Sequence, residues 1–400
     1  MYKIECALAD SFFQPMAQTP LLTVVVPTFQ RPDELWTSVN SIASQIVGEL
    51  VGKVEIIVTD NASGPETASV LKRLAAAHPS VSYMIHAKNE GGAFQVYAAP
   101  HRAHGRWTWV FGDDDALSAD SLGKIVAVLE VEQPEFLTLD RQVWNKSFDI
   151  IVSARKHGIE DQKFKTFIHL INFFGFDQLS FWSSQIYMTS IAASVSADHF
   201  IEAECCYSQI AYYLHAFHDK AAYYFSEPVV RHRWDASASS VHARNFHHLA
   251  THLPMLIQRV SNKIGLDDGL FERINGRRSI QGPETRRVTF VDNIFENLWR
   301  CVALGTVISE EEWDALNLLS KAWRPDGSEQ LQAVRDFHDK MKDSFQAYTS
   351  AINEFRQVLS TAELDIASSD REAMETAVRS LAANIDAARK LALQISHAFN

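Results

Sequence analysis

The stretch LLTVVVPTFQRPDELWTSVNSIASQ, residues 21–45, changes hydrophobic period halfway, and that change sets the fold class. It opens with a β-branched apolar run, Leu21–Val26, which ends at Pro27. From Pro32 the apolar positions Leu35, Val39 and Ile42 recur at helical spacing, and a proline suits a helix start. The same strand-then-helix pattern repeats downstream. Val54–Thr59 (VEIIVT) reads as a strand and Glu66–Ala77 as a helix. Val81–His86 is a third strand, followed by a helix over residues 92–104 behind Gly91-Gly92. Arg106–Phe111 and Phe136–Asp140 are further strands, with a helix at Ala119–Glu132 between them. Alternation at this pace predicts an α/β domain, Rossmann-like, with a mostly parallel sheet flanked by helices. Such sheets bind ligands outside the carboxyl ends of their strands.

Three of those strand ends carry polar or small residues. The strand RWTWVF runs into FGDDDALSADSL, so Asp113, Asp114 and Asp115 stand together where the ligand crevice is expected. Adjacent carboxylates repel, and desolvation there is costly; a divalent cation with oxygen ligands removes both problems. Mg²⁺ or Mn²⁺ held by one or two carboxylates also clamps a diphosphate and stabilises its charge as it leaves. An acidic loop, or an N-cap for the following helix, is the other reading of the three aspartates alone. Asp60 ends the second strand on the same edge, suited to accept hydrogen bonds from a ribose or base. Gly91 and Gly92 let a backbone approach a ligand closely.

These segments resemble the family 2 glycosyltransferases, which have the GT-A fold. The resemblance rests on Pro27-Thr28-Phe29-Gln30-Arg31 after the first strand and Asp60-Asn61-Ala62-Ser63 after the second. It continues in Asn89-Glu90-Gly91, Ala103-His104-Gly105 and the Asp-Xaa-Asp motif at Asp113-Asp114-Asp115. It covers about residues 20–140, weakens over 141–240 and is absent beyond; the form FGDDDALSADSL looks most like the abequosyltransferase-type branch. The resemblance implies metal-dependent transfer of a sugar, with inversion, from a nucleotide diphosphate to an acceptor hydroxyl, in bacterial surface polysaccharide or glycoconjugate synthesis. The donor-binding set it implies is Pro27, Thr28, Arg31, Asp60, Asn89, Gly91, Asp113 and Asp114. Asp113 and Asp115 would hold Mn²⁺ or Mg²⁺, with Asp114 close behind because the register of Asp-Xaa-Asp in three aspartates is ambiguous.

Direct displacement needs a general base on the acceptor hydroxyl. The family places an acidic pair one turn before a Leu-Ala-Xaa-Arg-Leu-like helix. Here that helix is matched by Ile210–Leu214, and a strict register puts Cys206 and Tyr207 at the acidic pair. The candidate bases are therefore Glu204, Asp177 and Glu202, in that order, each equally readable as a surface or capping acid. Arg231-His232-Arg233-Trp234 follows a strand-like stretch. The two arginines suit a departing diphosphate and His232 a metal; the plain alternative is solvated arginines beside a packed tryptophan. Aromatics at 173–187 and 207–225 either line an acceptor groove or form core.

Other readings fit less well. No GxGxxG follows the first strand, as a nicotinamide-binding domain needs, and no GxxxxGK[ST] is present. The rival from another class is a catalytically idle GT-A-like binding or scaffold subunit, favoured by the missing acidic pair; a protein glycosyltransferase is the enzymatic variant. The formal charge of −12 gives no footprint for nucleic acid. The partners expected are a nucleotide sugar and a glycan, lipid-linked glycan or protein acceptor.

Four cysteines without framework spacing suggest a reducing compartment. The opening residues lack a basic region followed by a long apolar core, so no secretory signal is expected. No apolar run reaches the length of a spanning helix. The expected location is the cytoplasm, free or peripheral to the inner membrane. The expected domains are an N-terminal extension (1–20), a GT-A domain (21–240), a helical region (241–330) and a heptad-patterned helical hairpin (331–400). In the last, Met341, Phe345, Tyr348, Ile352, Phe355 and Leu359 alternate steps of four and three, as do Met374 to Phe399 after a cap at Ser368-Ser369-Asp370. This pattern either packs on its own chain or pairs between chains as a coiled coil.

Overall fold

A computed structural model describes residues 8–14, 18–153, 159–195, 207–234 and 253–266, the short strands 277–279 and 286–288, and isolated helical positions between 310 and 339. The chain divides into two compact units, Met1–Ala238 with Thr251–Asp292, and Ser239–Ala250 with Asn293–Asn400.

The first unit is built on a mixed sheet. Its parallel half is β2 (Leu22–Thr28), β3 (Val54–Asp60), β4 (Val81–His86) and β5 (Trp107–Val110), in the spatial order β4-β3-β2-β5. Every residue of β3, β4 and β5 is buried, which is why these strands read as continuous apolar runs without alternation. Helices α1 (Pro32–Ala43) and α2 (Pro65–Ala77) cover one face, burying Leu35, Val39 and Ile42, and Val70, Leu71 and Leu74. Helices α3 (Gly92–Arg102) and α4 (Leu122–Glu132) complete the alternation. Strand β1 (Leu8–Phe12) lies within the first twenty residues and joins β4 antiparallel as an exposed edge.

Beyond β5 the pairing turns antiparallel and then parallel again. Strand β6 (Ala116–Leu117) follows the acidic residues directly. Strand β7 runs from Phe136 to Asn145, five residues past the end expected from sequence, and turns back into β8 (Ile151–Ser153). A further strand, β9 (Gln162–Phe164), precedes helices α5 (Phe167–Phe174) and α6 (Phe176–Leu179). Strand β10 (Gln185–Met188) inserts antiparallel between β5 and β7. Helices α7 (Thr189–Ala193) and α8 (Ser208–Phe217) follow. Strand β11 (Ala222–Trp234) runs parallel to β7, but its register slips around Pro228, and its far half pairs antiparallel with β6. A proline cannot donate to the ladder, so the strand bends there and carries Arg231–Arg233 over the acidic residues. The sheet is therefore parallel where the sequence alternated strand with helix, and mixed where short segments return as hairpins.

Most of the aromatics at 173–187 and 207–225 are core, while Phe173, Phe181, Trp182 and Tyr207 are half-buried. Phe174, Tyr187, Tyr212, Tyr213, Phe217 and Tyr224 are all fully buried or nearly so. Phe136 packs edge-on against Phe167, Tyr213 and Phe217 with ring centroids 4.7 to 5.3 Å apart.

Most of region 241–330, expected to be helical, lies outside the described residues. Helix α9 (Leu253–Lys263) packs on α8, but β12 (Arg277–Ser279) and β13 (Arg286–Val288) form an antiparallel pair. In the second unit, Trp313 is buried, and Arg335 both stacks on its ring and pairs with Glu310. The heptad positions from Met341 onward lie outside the described residues.

Candidate functional site

The carboxyl ends of β2 and β3 are fastened together before any ligand is considered. Thr28 and Asp60 are register partners, and the Asn61 N–H donates to the Thr28 carbonyl at 2.9 Å. Each strand ends in a tight turn with a non-glycine residue in the left-handed region, Gln30 at φ 56° and Ala62 at φ 64°. The Gln30 N–H donates to Ser63 Oγ at 2.8 Å, joining the two turns. Asp60 is buried, and its carboxylate accepts the Ser63 N–H at 3.1 Å. Burial raises its pKa, and the Ser63 hydrogen bonds oppose that rise.

The loop after β4 is held by side-chain amides. Asn61 donates to Asn89 Oδ1 at 2.7 Å and accepts from the Glu90 N–H at 2.8 Å and from Gln95 at 3.0 Å. Asn89 Oδ1 also accepts the Gly91 N–H, and Gly91 has φ 85°, a conformation glycine adopts without penalty. Asn89 thus builds the loop, and Gly91 shapes its exit into α3.

The three aspartates occupy distinct environments. Asp113 is buried; its carboxylate accepts from Thr28 Oγ1 at 2.8 Å and from the Arg31 guanidinium at 3.0 Å. Asp114 also accepts from Arg31, at 2.8 Å, and is the most exposed of the three. Asp115 is buried on the opposite side, where it accepts from Ser183 Oγ at 2.6 Å and from the Arg233 N–H at 3.2 Å. Its Oδ1 lies 3.3 Å from His232 Nδ1. Burial raises the pKa of Asp113, with Arg31 and Thr28 opposing. Burial, reinforced by Asp115 and Asp113, pushes Asp114 up to about 6. Arg31 faces two of the three carboxylates, Asp113 and Asp114.

The far half of β11 closes this side. Arg233 Nε donates to the Asp114 carbonyl at 2.7 Å. Arg231 turns the other way, to Ser118 Oγ and over the Trp144 ring. The His232 ring meets Phe181 edge-on at 4.4 Å, and Phe181 carries Arg141 on its face. Thr28, Arg31, Asp113, Asp114, Asp115, His232 and Arg233 are therefore one contact network, with Asp60 joined to it through the β2–β3 turns. Pro27 stands one residue back, paired with Thr59. Asp177 lies in α6; Glu202 and Glu204 lie outside the described residues.

Two participants escaped the sequence reading. Ser183, in a 3-10 turn (Trp182–Ser184), bridges the Gly112 N–H and Asp115. A Cβ on Gly112 would stand 2.9 Å from Asp115 Oδ2, so a larger residue would have to displace that carboxylate. The glycine was visible in FGDDD; the serine was not, since only the antiparallel return of β10 brings it there.

The donor chemistry suits a hard divalent cation. Carboxylate oxygens and one imidazole are ligands Mn²⁺ accepts, and Mg²⁺ or Mn²⁺ in phosphate sites takes few protein ligands. Asp115 and His232 are the pair in reach of each other, whereas Asp113 is braced by Thr28 and Arg31. Among the described residues no group of three acidic, histidine or cysteine side chains forms a ready cage.

Residues 23–199 match the family model Glycosyl transferase family 2. Abequosyltransferase RfbV of Salmonella typhimurium is 32% identical over 124 residues, 30% of this chain and 36% of that protein. An N-acetylglucosaminyltransferase of Bradyrhizobium diazoefficiens is 29% identical over 119 residues, 29% of this chain and 24% of that protein. The chain thus covers about a third or less of the length of these curated relatives. Among solved structures, S. aureus TarS 1-349 in complex with UDP-GlcNAc superposes with TM-score 0.52 at 14% identity, over 82% of this chain and 92% of that one. That likeness speaks for the fold alone, and it agrees with the α/β GT-A architecture. The ordered motifs, the sheet edge they build and the matched segment make this chain similar to glycosyl transferase family 2 over residues 23–199.

Proposed function

We propose that this chain transfers a sugar from a nucleotide diphosphate to an acceptor hydroxyl, with inversion at the anomeric carbon. The observation that carries the reading is the joining of the acidic tip to β11: Asp115 meets His232 and the Arg233 main chain, while Asp113 meets Thr28 and Arg31. Asp60 and the main chain at Pro27 and Thr28 bind the nucleoside. Asp113, Asp115 and His232 hold Mn²⁺ or Mg²⁺, which when bound offsets the charge on the departing diphosphate. Arg31 and Arg233 add positive charge beside it, and Arg231 stands one strand position further off. The general base is drawn from Glu204, Asp177 and Glu202, in that order. The acceptor is a glycan or lipid-linked glycan of a bacterial surface polymer, and the relatives named for abequosyl and N-acetylglucosaminyl transfer support a sugar donor. Among the described residues no helix is long and apolar enough to cross a membrane. Contact with a membrane surface and self-association through the heptad-patterned segment belong to the same proposal.

Thermal shift with UDP, GDP and CDP sugars, with and without Mn²⁺, tests it. A donor should raise the melting temperature only when metal is present, and Asp115→Asn should abolish that rise while keeping the fold. Metal-independent stabilisation, or an unchanged response in Asp115→Asn, would overturn the metal-dependent reading.

A further inference from the structure

The hairpin between β7 and β8 carries a conformation that its sequence does not favour. Phe148 has φ 57°, in the left-handed region, where a bulky aromatic is an outlier and asparagine or glycine would be at ease. The turn holds it there. The Phe148 N–H donates to the Asn145 carbonyl at 3.1 Å, and the Asn145 N–H to the Ile150 carbonyl at 3.0 Å. Asn145 Oδ1 accepts the N–H groups of Asp149 and Ile150, both at 3.1 Å.

What the strained residue touches is Arg233, whose guanidinium carbon lies 4.5 Å from the centre of the Phe148 ring. The same guanidinium donates through Nε to the Asp114 carbonyl, so it is held between the hairpin and the acidic tip. Among the described residues its two Nη groups have no hydrogen-bond acceptor. A planar guanidinium fixed through one edge and one face, with two parallel donors remaining, is a fork shaped for phosphate oxygens. Strain kept at such a contact points to a role for the ring rather than to tolerance of it.

We propose that Phe148 is a positioning residue for the donor diphosphate: its ring, fixed by the Asn145-locked turn, holds Arg233 so that both Nη groups are presented to phosphate oxygens. The inference rests on the glycosyl-transfer reading. It assigns the hairpin, which has no motif in the sequence, to the diphosphate subsite.

Calorimetric titration of UDP, GDP and CDP with Mn²⁺ into the full chain tests it. Phe148→Leu keeps apolar bulk without a π face, Phe148→Asn relieves the backbone, and Phe148→Tyr keeps the ring. For the diphosphate that the unaltered protein binds best, Leu and Asn should weaken binding roughly five- to thirtyfold, the range an arginine–aromatic stack supplies. Tyr should stay within about twofold of the unaltered protein. In an Arg233→Gln background the Phe148→Leu loss should vanish, because both changes remove one interaction. Should Phe148→Asn fail to fold, the Leu and Tyr pair decides. Undiminished binding in Phe148→Leu, or losses that add to those of Arg233→Gln, would overturn the assignment. If none of the three diphosphates binds the unaltered protein, the transfer reading falls, and this inference with it.

Discussion

One hydroxyl joins both ends of the acidic loop. Ser183 accepts the Gly112 N–H at 2.8 Å and donates to Asp115 Oδ2 at 2.6 Å, while its carbonyl takes the Trp109 indole N–H at 2.9 Å. The residue is buried, so water does not replace what its removal takes away. Ser183→Ala leaves the Gly112 N–H unpaired and Asp115 short of a donor, at a cost of about 1–3 kcal/mol. Urea denaturation should show that loss, and Mn²⁺-supported nucleotide binding should weaken roughly tenfold as Asp115 gains freedom to turn. Unaltered binding would mean that Asp115 is oriented without it. The contrast with the aspartates is instructive. Three consecutive carboxylates after a buried strand announce a site, because charge so placed is costly and needs a reason. A serine in LSFWSSQ announces nothing; its role comes from which strand lies beside it. Glu202, Glu204 and Asp177 were legible as acids but not as bases, for the same reason.

At the scale of elements, β4 and α3 meet through a buried histidine. Arg102, in the last turn of α3, places Nη2 3.1 Å from His86 Nε2 at the end of β4 and donates through Nη1 to Gln95 at 2.8 Å. A guanidinium only donates, so Nε2 accepts and the ring is neutral. Burial, with Arg102 adding to it, lowers the His86 pKa from 6.5 to about 4. The sign follows directly. Between about 4 and 6.5 the unfolded chain binds a proton that the folded chain refuses, so stability from this group is complete above 6.5 and lost as pH falls towards 4. The full loss is on the order of 3 kcal/mol. Denaturation of the unaltered chain and of His86→Asn at several pH values should show a shallower slope in the variant over that window; equal slopes would show that His86 titrates normally. The elements themselves were unequally legible. Strands β2 to β5 and helices α1 to α3 follow from runs of Val and Ile alternating with helical spacing, a signal contained in each segment. Strand β10 inserted between β5 and β7, the slip of β11 at Pro228 and the β7–β8 hairpin depend on partners distant in sequence. The β12–β13 pair was not legible because the polar, arginine-rich stretch around 277–288 has no period of its own.

At the scale of the molecule, every described residue of the site lies in the unit formed by Met1–Ala238 and Thr251–Asp292. Among the described residues the other unit, Ser239–Ala250 with Asn293–Asn400, contributes none. A ligand stabilises only what it binds in the folded state, by an amount set by its concentration over its dissociation constant. Two compact units need not melt as one, so unfolding by heat should show two transitions rather than a single two-state event. Donor nucleotide with Mn²⁺ should raise the transition of the first unit and leave the second where it was. At a ligand concentration of about a hundred times the dissociation constant the gain is roughly 2.7 kcal/mol, enough to separate overlapping peaks by several degrees. Differential scanning calorimetry of the full chain, with and without ligand, distinguishes the cases. A joint upward shift of both transitions would mean that the heptad-patterned unit folds only in concert with the first unit, and the second unit would then have to be counted as part of the proposed donor site's stability.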